Sequence, residues 1–133
     1  DSGANYIGYF FAEIPGYSAF GKFTGNGSTD GPLINCGFSP SYVMTKKINT
    51  GTGGEWYTVD SARDTHNPAD LELTWNRANA EDGDQGSDHL DFLSNGFKMR
   101  SSGGGSANES SCTTIYMAFA SNPFAGTTPA TAR

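Results

Sequence analysis

Short runs of alternating apolar and polar residues dominate the chain. No long stretch repeats its apolar positions at helical spacing, whereas several runs of about five to eight residues have the period of two expected for strands. Turn-forming segments separate these runs, namely GNGSTDGP, NTGTGG, AEDGDQGSD and SSGGGSANESS. The predicted strands are Tyr6–Glu13, Ser18–Thr24, Leu33–Cys36, Tyr42–Ile48, Glu55–Asp60, Leu71–Trp75, Leu90–Leu93, Gly96–Arg100 and Thr113–Ala120. The pattern predicts an all-β fold, an antiparallel β-sandwich or jelly roll of eight or nine short strands.

The first and last predicted strands have similar sequences. YIGYFFAEIP at residues 6–15 and TIYMAFASNP at residues 114–123 share an alternating aromatic pattern that closes on proline. The matched positions are Ile7 with Ile115, Tyr9 with Met117, Phe11 with Phe119, Ala12 with Ala120 and Pro15 with Pro123. Such an echo is expected in a tandem array. We therefore predict that residues 1–15 are the closing strand of an upstream repeat or a borrowed strand, and that residues 16–133 form a single β-sandwich domain.

Composition and charge narrow the classes of partner. The chain has 18 Gly, 9 Phe, 6 Tyr and 2 Trp among 133 residues, which suits short strands and tight turns around an aromatic core. Its net charge of −6 and pI near 4.6 argue against binding to nucleic acid or to an anionic membrane, because both require a basic surface. No apolar run approaches the roughly 18 residues that span a bilayer, so no membrane insertion is expected.

Two cysteines, Cys36 and Cys112, have no metal-ligand spacing. They are compatible with one disulfide in an oxidising compartment, but two thiols do not make a disulfide framework. The favoured interpretation is two small buried apolar residues.

No set of residues in the sequence predicts catalysis. The spacing of the acidic residues singles out no carboxylate pair of the glycosidase type, and no G-x-S-x-G motif occurs. The two histidines, His66 and His89, are expected on exposed loops. We therefore predict that the chain is not an enzyme.

One acidic loop resembles a cation site in part. Asp82, Asp84 and Asp88 alternate with small or amide residues in DGDQGSD, and such carboxylates can converge on Ca²⁺. The helix-loop-helix calcium pattern is incomplete, since Gly86 stands at its fifth position and Leu93 at its twelfth. A solvated acidic turn is the favoured interpretation, and no cofactor is required.

Two further clusters are candidates for structural or binding roles. Asp60, Arg63 and Asp64, in WYTVDSARD, predict a structural ion pair that pins the loop after a strand, in preference to ligand recognition. Exposed aromatic rings beside amide and guanidinium groups are typical of saccharide sites. The candidate ligand-binding residues of this kind are Trp75, Asn76 and Arg77, whereas Trp56, at the centre of a strand, is expected in the core.

Several longer strings resemble a domain family of tailed-bacteriophage structural proteins. These strings are YSAFGKFTGNGSTDGP, GFSPSYVMTKK, WYTVDSARD, DFLSNGFKMR, TIYMAFASNPF and the closing PATAR. In such proteins similar units occur in tandem and beside laminin-G or concanavalin-like modules. The resemblance implies a virion location on a tail fibre, tail tip or other outer surface, and a natural C-terminus at PATAR. It implies no catalytic residues.

Together these observations predict a non-catalytic structural module that is displayed on a virion and assists adhesion to a host glycan. Its expected partners are sister subunits of a homo-oligomer, with a trimer as the natural arrangement for a fibre, other virion proteins and a host surface glycan. Two alternatives stay open: a carbohydrate-binding module, with or without Ca²⁺, and a decoration protein on the capsid head.

Overall fold

The computed structural model describes residues 3–49, 54–81, 89–102 and 107–123, and the fold is a β-sandwich. Its strands are β1 (Ser18–Thr24), β2 (Leu33–Asn35), β3 (Pro40–Lys47), β4 (Trp56–Asp60), β5 (Leu73–Thr74), β6 (Leu90–Leu93), β7 (Gly96–Met99) and β8 (Thr113–Ala120). All pairings between these strands are antiparallel, and the described ranges contain no helix. The all-β, antiparallel prediction is therefore confirmed.

The strands form two sheets. One has five strands in the order β1-β8-β3-β4-β5, and the other has three in the order β2-β7-β6. The last strand, β8, lies inside the larger sheet because it pairs with β1 on one side and with β3 on the other. Within the described residues, β1 and β5 are therefore the edge strands of this sheet.

The core lies between the two sheets and follows the period of two. On β8, Thr114 and Ala118 are fully buried. The inner face of the smaller sheet supplies Phe97, also fully buried, whose ring lies 5.4 Å from that of Tyr116 and 6.4 Å from that of Phe23. Each large apolar side chain buried in this way contributes on the order of 1.5–3 kcal/mol.

The closest backbone approach in the smaller sheet is at Gly96, the first residue of β7. A Cβ atom at this position would lie 1.9 Å from the carbonyl oxygen of Ile34 on β2. Only glycine therefore permits β2 and β7 to pair as closely as they do.

The predicted strand Tyr6–Glu13 is absent from the described structure. Residues 4–13 pair with no strand, and the only bridge in this region joins Ile14 to Ser18. Alternation of residues indicates a strand but does not supply the partner that its backbone requires. The assignment of residues 1–15 to an upstream repeat or to a borrowed strand stays a prediction.

Three other strands have the predicted bounds, and β5 is shorter because only Leu73 and Thr74 pair with β4.

Neither cysteine is part of a disulfide. Cys112 is buried, whereas Cys36 is half-buried and packs against the core. Burial raises the pKa of the Cys36 thiol to about 11 because it disfavours the charged thiolate. The two side chains act as small apolar residues and do not form a disulfide.

Candidate functional site

The outer face of the five-stranded sheet is unusually apolar. Antiparallel sheets commonly turn one face to the core and a polar face to water. Because Ala118 and Thr114 point into the core, the alternate residues Ile115, Met117 and Phe119 of β8 point outward. The register places further apolar side chains beside them, Phe20 and Met44 opposite Met117 and Tyr42 opposite Phe119. Two lysines, Lys22 and Lys46, flank Ile115.

Aromatic rings cluster around Phe119 near the β1 edge of this face. Its ring centroid lies 6.0 Å from that of Phe20, 5.9 Å from Tyr17 and 5.9 Å from Tyr42. Phe11, from the segment that precedes β1, adds a fourth neighbour at 6.2 Å. Edge-to-face pairs at these separations are favourable beyond the area that they bury.

An apolar hollow continues the same face toward β4. It has a volume of about 280 Å³. Its lining residues are Phe20, Gly21, Met44, Trp56, Ile115, Tyr116 and Met117. A surface of this kind suits an aromatic or aliphatic group of a partner.

Trp75 lies at the opposite edge of the face, beside β5. Its side chain is 65% exposed. The indole Nε1–H donates a hydrogen bond to Thr58 Oγ1 at 2.5 Å, and the Tyr42 hydroxyl lies 3.4 Å from the same oxygen. The hydrogen bond to Thr58 fixes the orientation of the indole. A fixed and exposed indole is the kind of surface that stacks against a sugar ring.

Asn76 and Arg77, the other two residues of the predicted ligand site, bind residues at the start of β4. Asn76 Oδ1 accepts the backbone N–H of Trp56 at 3.0 Å, and the Arg77 guanidinium forms an ion pair with Glu55. Burial opposes ionisation of Glu55, but hydrogen bonds from its own backbone, Tyr57 and Arg77 outweigh it and lower the pKa of that carboxyl. All three predicted residues are exposed, but the polar groups of Asn76 and Arg77 already bind Trp56 and Glu55. The role of the three residues in ligand binding stays a prediction.

Trp56, for which the sequence predicts a core position, is half-buried on the outer face. The ammonium group of Lys46 lies 5.1 Å from the centroid of its ring, a cation–π arrangement. The core prediction is wrong because Tyr57 and Val59 occupy the inward positions of β4. The strand period then directs Trp56 outward.

The Asp60, Arg63 and Asp64 cluster orders the loop after β4. Arg63 Nε lies 2.5 Å from Asp60 Oδ2, and Asp60 Oδ1 accepts the backbone N–H groups of Ala62 and Arg63. Asp64 binds the backbone instead of Arg63. Its Oδ2 accepts the backbone N–H groups of Asp70 at 2.6 Å and Leu71 at 3.2 Å.

For both Asp60 and Asp64, burial opposes ionisation, but the hydrogen bonds prevail and lower the pKa of the carboxyl group. Both aspartates therefore stabilise the conformation of the loop after β4.

The candidate calcium ligands Asp82, Asp84 and Asp88 lie outside the described residues. Within the described ranges, no three His, Cys, Asp or Glu side chains lie close enough together to hold a metal ion. The calcium hypothesis stays a prediction.

The histidines differ in environment. His66 is exposed, with Nδ1 lying 3.0 Å from Thr65 Oγ1, as expected for a loop residue. His89 is half-buried, and its Nε2 is enclosed with no hydrogen-bond partner among the described residues, so the expectation of exposure is wrong for this residue. The next residue, Leu90, pairs with Ala69 in an isolated antiparallel bridge.

A second concavity, of about 560 Å³, lies between the loops at Thr29 and Pro68. Its polar groups already have partners. Arg100 Nε donates to Asp91 Oδ2 at 2.6 Å, and the Asn67 amide both accepts from and donates to the backbone of Phe92. Because these polar groups already stabilise the loops, the apolar outer face is the stronger candidate site.

Comparison with protein families adds one assignment. A family described as domain of unknown function, DUF7483, matches residues 1–123. The chain belongs to the DUF7483 family. The DUF7483 match includes both the sandwich and the segment that precedes β1. Comparisons with curated proteins and with solved structures give no significant match. In the described part of this DUF7483 chain, no helix has the length and apolar character needed to cross a membrane.

Proposed function

We propose that this chain is a non-catalytic structural module that joins neighbouring copies in a surface assembly. One observation carries the proposal: the segment before β1 exposes a contiguous apolar surface. Tyr6, Ile7, Tyr9 and Phe10 are 80–96% exposed, and the segment leads out from the apolar outer face of the sheet. Large apolar side chains that are exposed next to one another are typical of interaction sites.

The proposed setting is the outer surface of a bacteriophage virion, on a tail fibre or tail tip. Its support is the resemblance of the chain to virion structural domains. Repetitive assemblies also need their sheet edges covered by neighbours, and β1 is such an edge. Immunogold electron microscopy of particles that contain the chain is the direct test. Label along the tail supports this setting, label on the head favours the decoration protein, and the absence of label from intact particles contradicts both.

Sedimentation of the chain tests the assembly function. We expect a closed oligomer, a trimer in the fibre arrangement, whose fraction rises from micromolar to near-millimolar concentration. The Phe10→Ser variant should form less oligomer than the wild type. The substitution removes an aromatic ring that is exposed in the monomer and buried in the proposed oligomer. Leu33→Ser is the matched control, since Leu33 is 56% exposed but lies on β2 in the other sheet. A single monomeric species at the highest concentration would contradict the proposal.

Carbohydrate binding is the second candidate function, and the geometry of Trp75 favours it. The exposed indole is held by Thr58 and lies about four strand spacings, or roughly 19 Å, from β1. A glycan could therefore bind at the β5 edge while a neighbouring copy covers the β1 edge. The outer face of the five-stranded sheet would then bind a glycan at one edge and a neighbouring copy at the other.

A glycan array with the wild-type chain and two variants tests the binding candidate. Trp75→Ala should abolish the signal, whereas Trp75→Phe, which keeps an aromatic face, should retain part of it. A parallel array in EDTA tests whether the loop with Asp82, Asp84 and Asp88 assists through Ca²⁺. Signals that are equal for the wild type and Trp75→Ala count against this site.

A further inference from the structure

We infer that residues 6–10 of one copy dock on the outer face of the five-stranded sheet of a second copy and place an aromatic ring in the hollow beside Phe20 and Met117. The inference rests on the proposed assembly function and specifies the surfaces that make the contact.

The segment already contacts this face within its own chain. The Phe11 ring lies 5.9 Å from that of Phe20 and 6.2 Å from that of Phe119. A tight turn sets this contact, since Ile14 and Ser18 exchange backbone hydrogen bonds and Gly16 adopts a φ of +73°. The sequence of this segment is therefore compatible with the aromatic cluster.

The turn does not continue into a strand pairing with β1. Ser18 Oγ accepts the Ile14 N–H and donates to the carbonyl oxygen of Ala12 at 2.9 Å. Before the Ile14–Ser18 bridge, residues 4–13 pair with no strand. Tyr9 and Phe10 consequently remain in water at 80% and 96% exposure, although the hollow lies on the same face.

The charges of the two surfaces favour contact between copies. Each copy carries a net charge of −6, so two copies repel over most of their surface. Residues 2–12 contain no charged residue, and the charged residues that flank Ile115 on the receiving face are Lys22 and Lys46. Docking there places an uncharged strip of one acidic molecule beside the two lysines that flank Ile115 on the other.

The available area matches that of a specific interface. An aromatic side chain buries about 150–250 Å², so Tyr6, Tyr9 and Phe10 together with Ile7 can bury roughly 600 Å². With a similar area on the receiving face, one docked segment buries about 1,200 Å², at the lower limit for specific protein interfaces. In a closed ring every copy both donates and receives a segment, so no segment and no hollow is left uncovered.

Cross-linking in mixtures tests the geometry. Cys36→Ala and Cys112→Ala provide a cysteine-free background, whose fold is checked by circular dichroism. One preparation then carries Phe10→Cys and the other Lys22→Cys, a position exposed on β1 opposite the hollow residue Ile115. Because each molecule has one thiol, a mixed disulfide can form only between copies. The control pair replaces Lys22→Cys by Leu33→Cys on the other sheet.

We expect the Phe10–Lys22 pair to yield several times more mixed disulfide than the control pair. We also expect Phe10→Ser to weaken association about ten- to hundredfold, as for loss of one buried aromatic side chain. Oligomers that show equal cross-linking in both pairs would overturn this inference and leave the assembly function standing. A chain that stays monomeric, with no cross-link above the control, would overturn both.

Discussion

Asn108→Ala is the most informative single substitution for the stability of this fold. Asn108 is 0% exposed and joins the turn after β1 to the segment before β8. Its Nδ2 donates to the carbonyl oxygens of Ser28 at 2.8 Å and Ser101 at 2.7 Å, and more weakly to Asn26 Oδ1 at 3.1 Å. Its Oδ1 accepts the backbone N–H of Asn26 at 3.0 Å. A single buried amide thus satisfies groups from two connections, the loop after β1 and the segment after β7.

The expected cost follows from counting what the substitution leaves unpaired. An amide has two hydrogens, so the two short bonds to carbonyl oxygens and the one accepted bond are the principal contacts. Each contributes about 0.5–1.5 kcal/mol, and each buried group left without a partner costs about 1–3 kcal/mol. Allowing for partial rehydration of the loops, we expect a loss of about 3–4 kcal/mol, against a total stability of roughly 5–15 kcal/mol for a domain.

Urea denaturation monitored by tryptophan fluorescence measures this loss. Asn79→Ala is the matched control, because Asn79 is exposed and should change the free energy of unfolding by less than about 0.5 kcal/mol. Asn108→Asp keeps the acceptor but loses both donated bonds and adds a charge, so it should be at least as destabilising as Asn108→Ala. A change below about 1 kcal/mol for Asn108→Ala would refute the assignment of Asn108 as the organising residue of these loops.

Three further outcomes are expected. Gly96→Ala should lower the melting temperature by at least several degrees, because its Cβ would lie 1.9 Å from the Ile34 carbonyl oxygen; an unchanged melting temperature would contradict this close approach. Cys36, with its pKa raised to about 11, should react with iodoacetamide at pH 8 far more slowly than a free cysteine, as mass spectrometry of its peptide can measure. Asp64 has a pKa lowered from its ordinary value of 3.8, so its stabilisation is full above about pH 4 and is lost as pH falls through the folded-state pKa. Asp64→Asn should therefore show a smaller fall in melting temperature between pH 5 and pH 2 than the wild type, and an identical fall would contradict this role.

Strand positions were largely predictable because alternation is a local property. Ser18–Thr24, Leu90–Leu93 and Thr113–Ala120 have the bounds that their residue patterns predict. The same pattern in Tyr6–Glu13 does not produce a strand, although its sequence echoes that of β8. The difference is that β8 has partners on both sides, whereas residues 4–13 pair with no strand before the bridge between Ile14 and Ser18.

Site residues were less predictable because their environment depends on residues that are distant in the sequence. Asp60 and Arg63 are close in sequence, and a short loop brings them together. Asn76 and Arg77 look equally available in the sequence, yet their partners, Trp56 and Glu55, lie about 20 residues away. No local pattern reveals that these polar groups are already occupied. Asn108 was likewise only one more polar residue in a Gly- and Ser-rich segment.

The sequence alone determined the all-β class, the positions of most strands, and the acidic and aromatic character of the chain, because each depends on composition or on the period of two. Only the tertiary structure decided which face each strand buries. That choice turned Trp56 and Met117 outward, made the outer face of the larger sheet apolar, and left Tyr9 and Phe10 in water. The physical reason is that burial results from pairing and packing between residues far apart in the chain. Alternation of apolar and polar residues shows only that a strand has two different faces, and not which of them is buried.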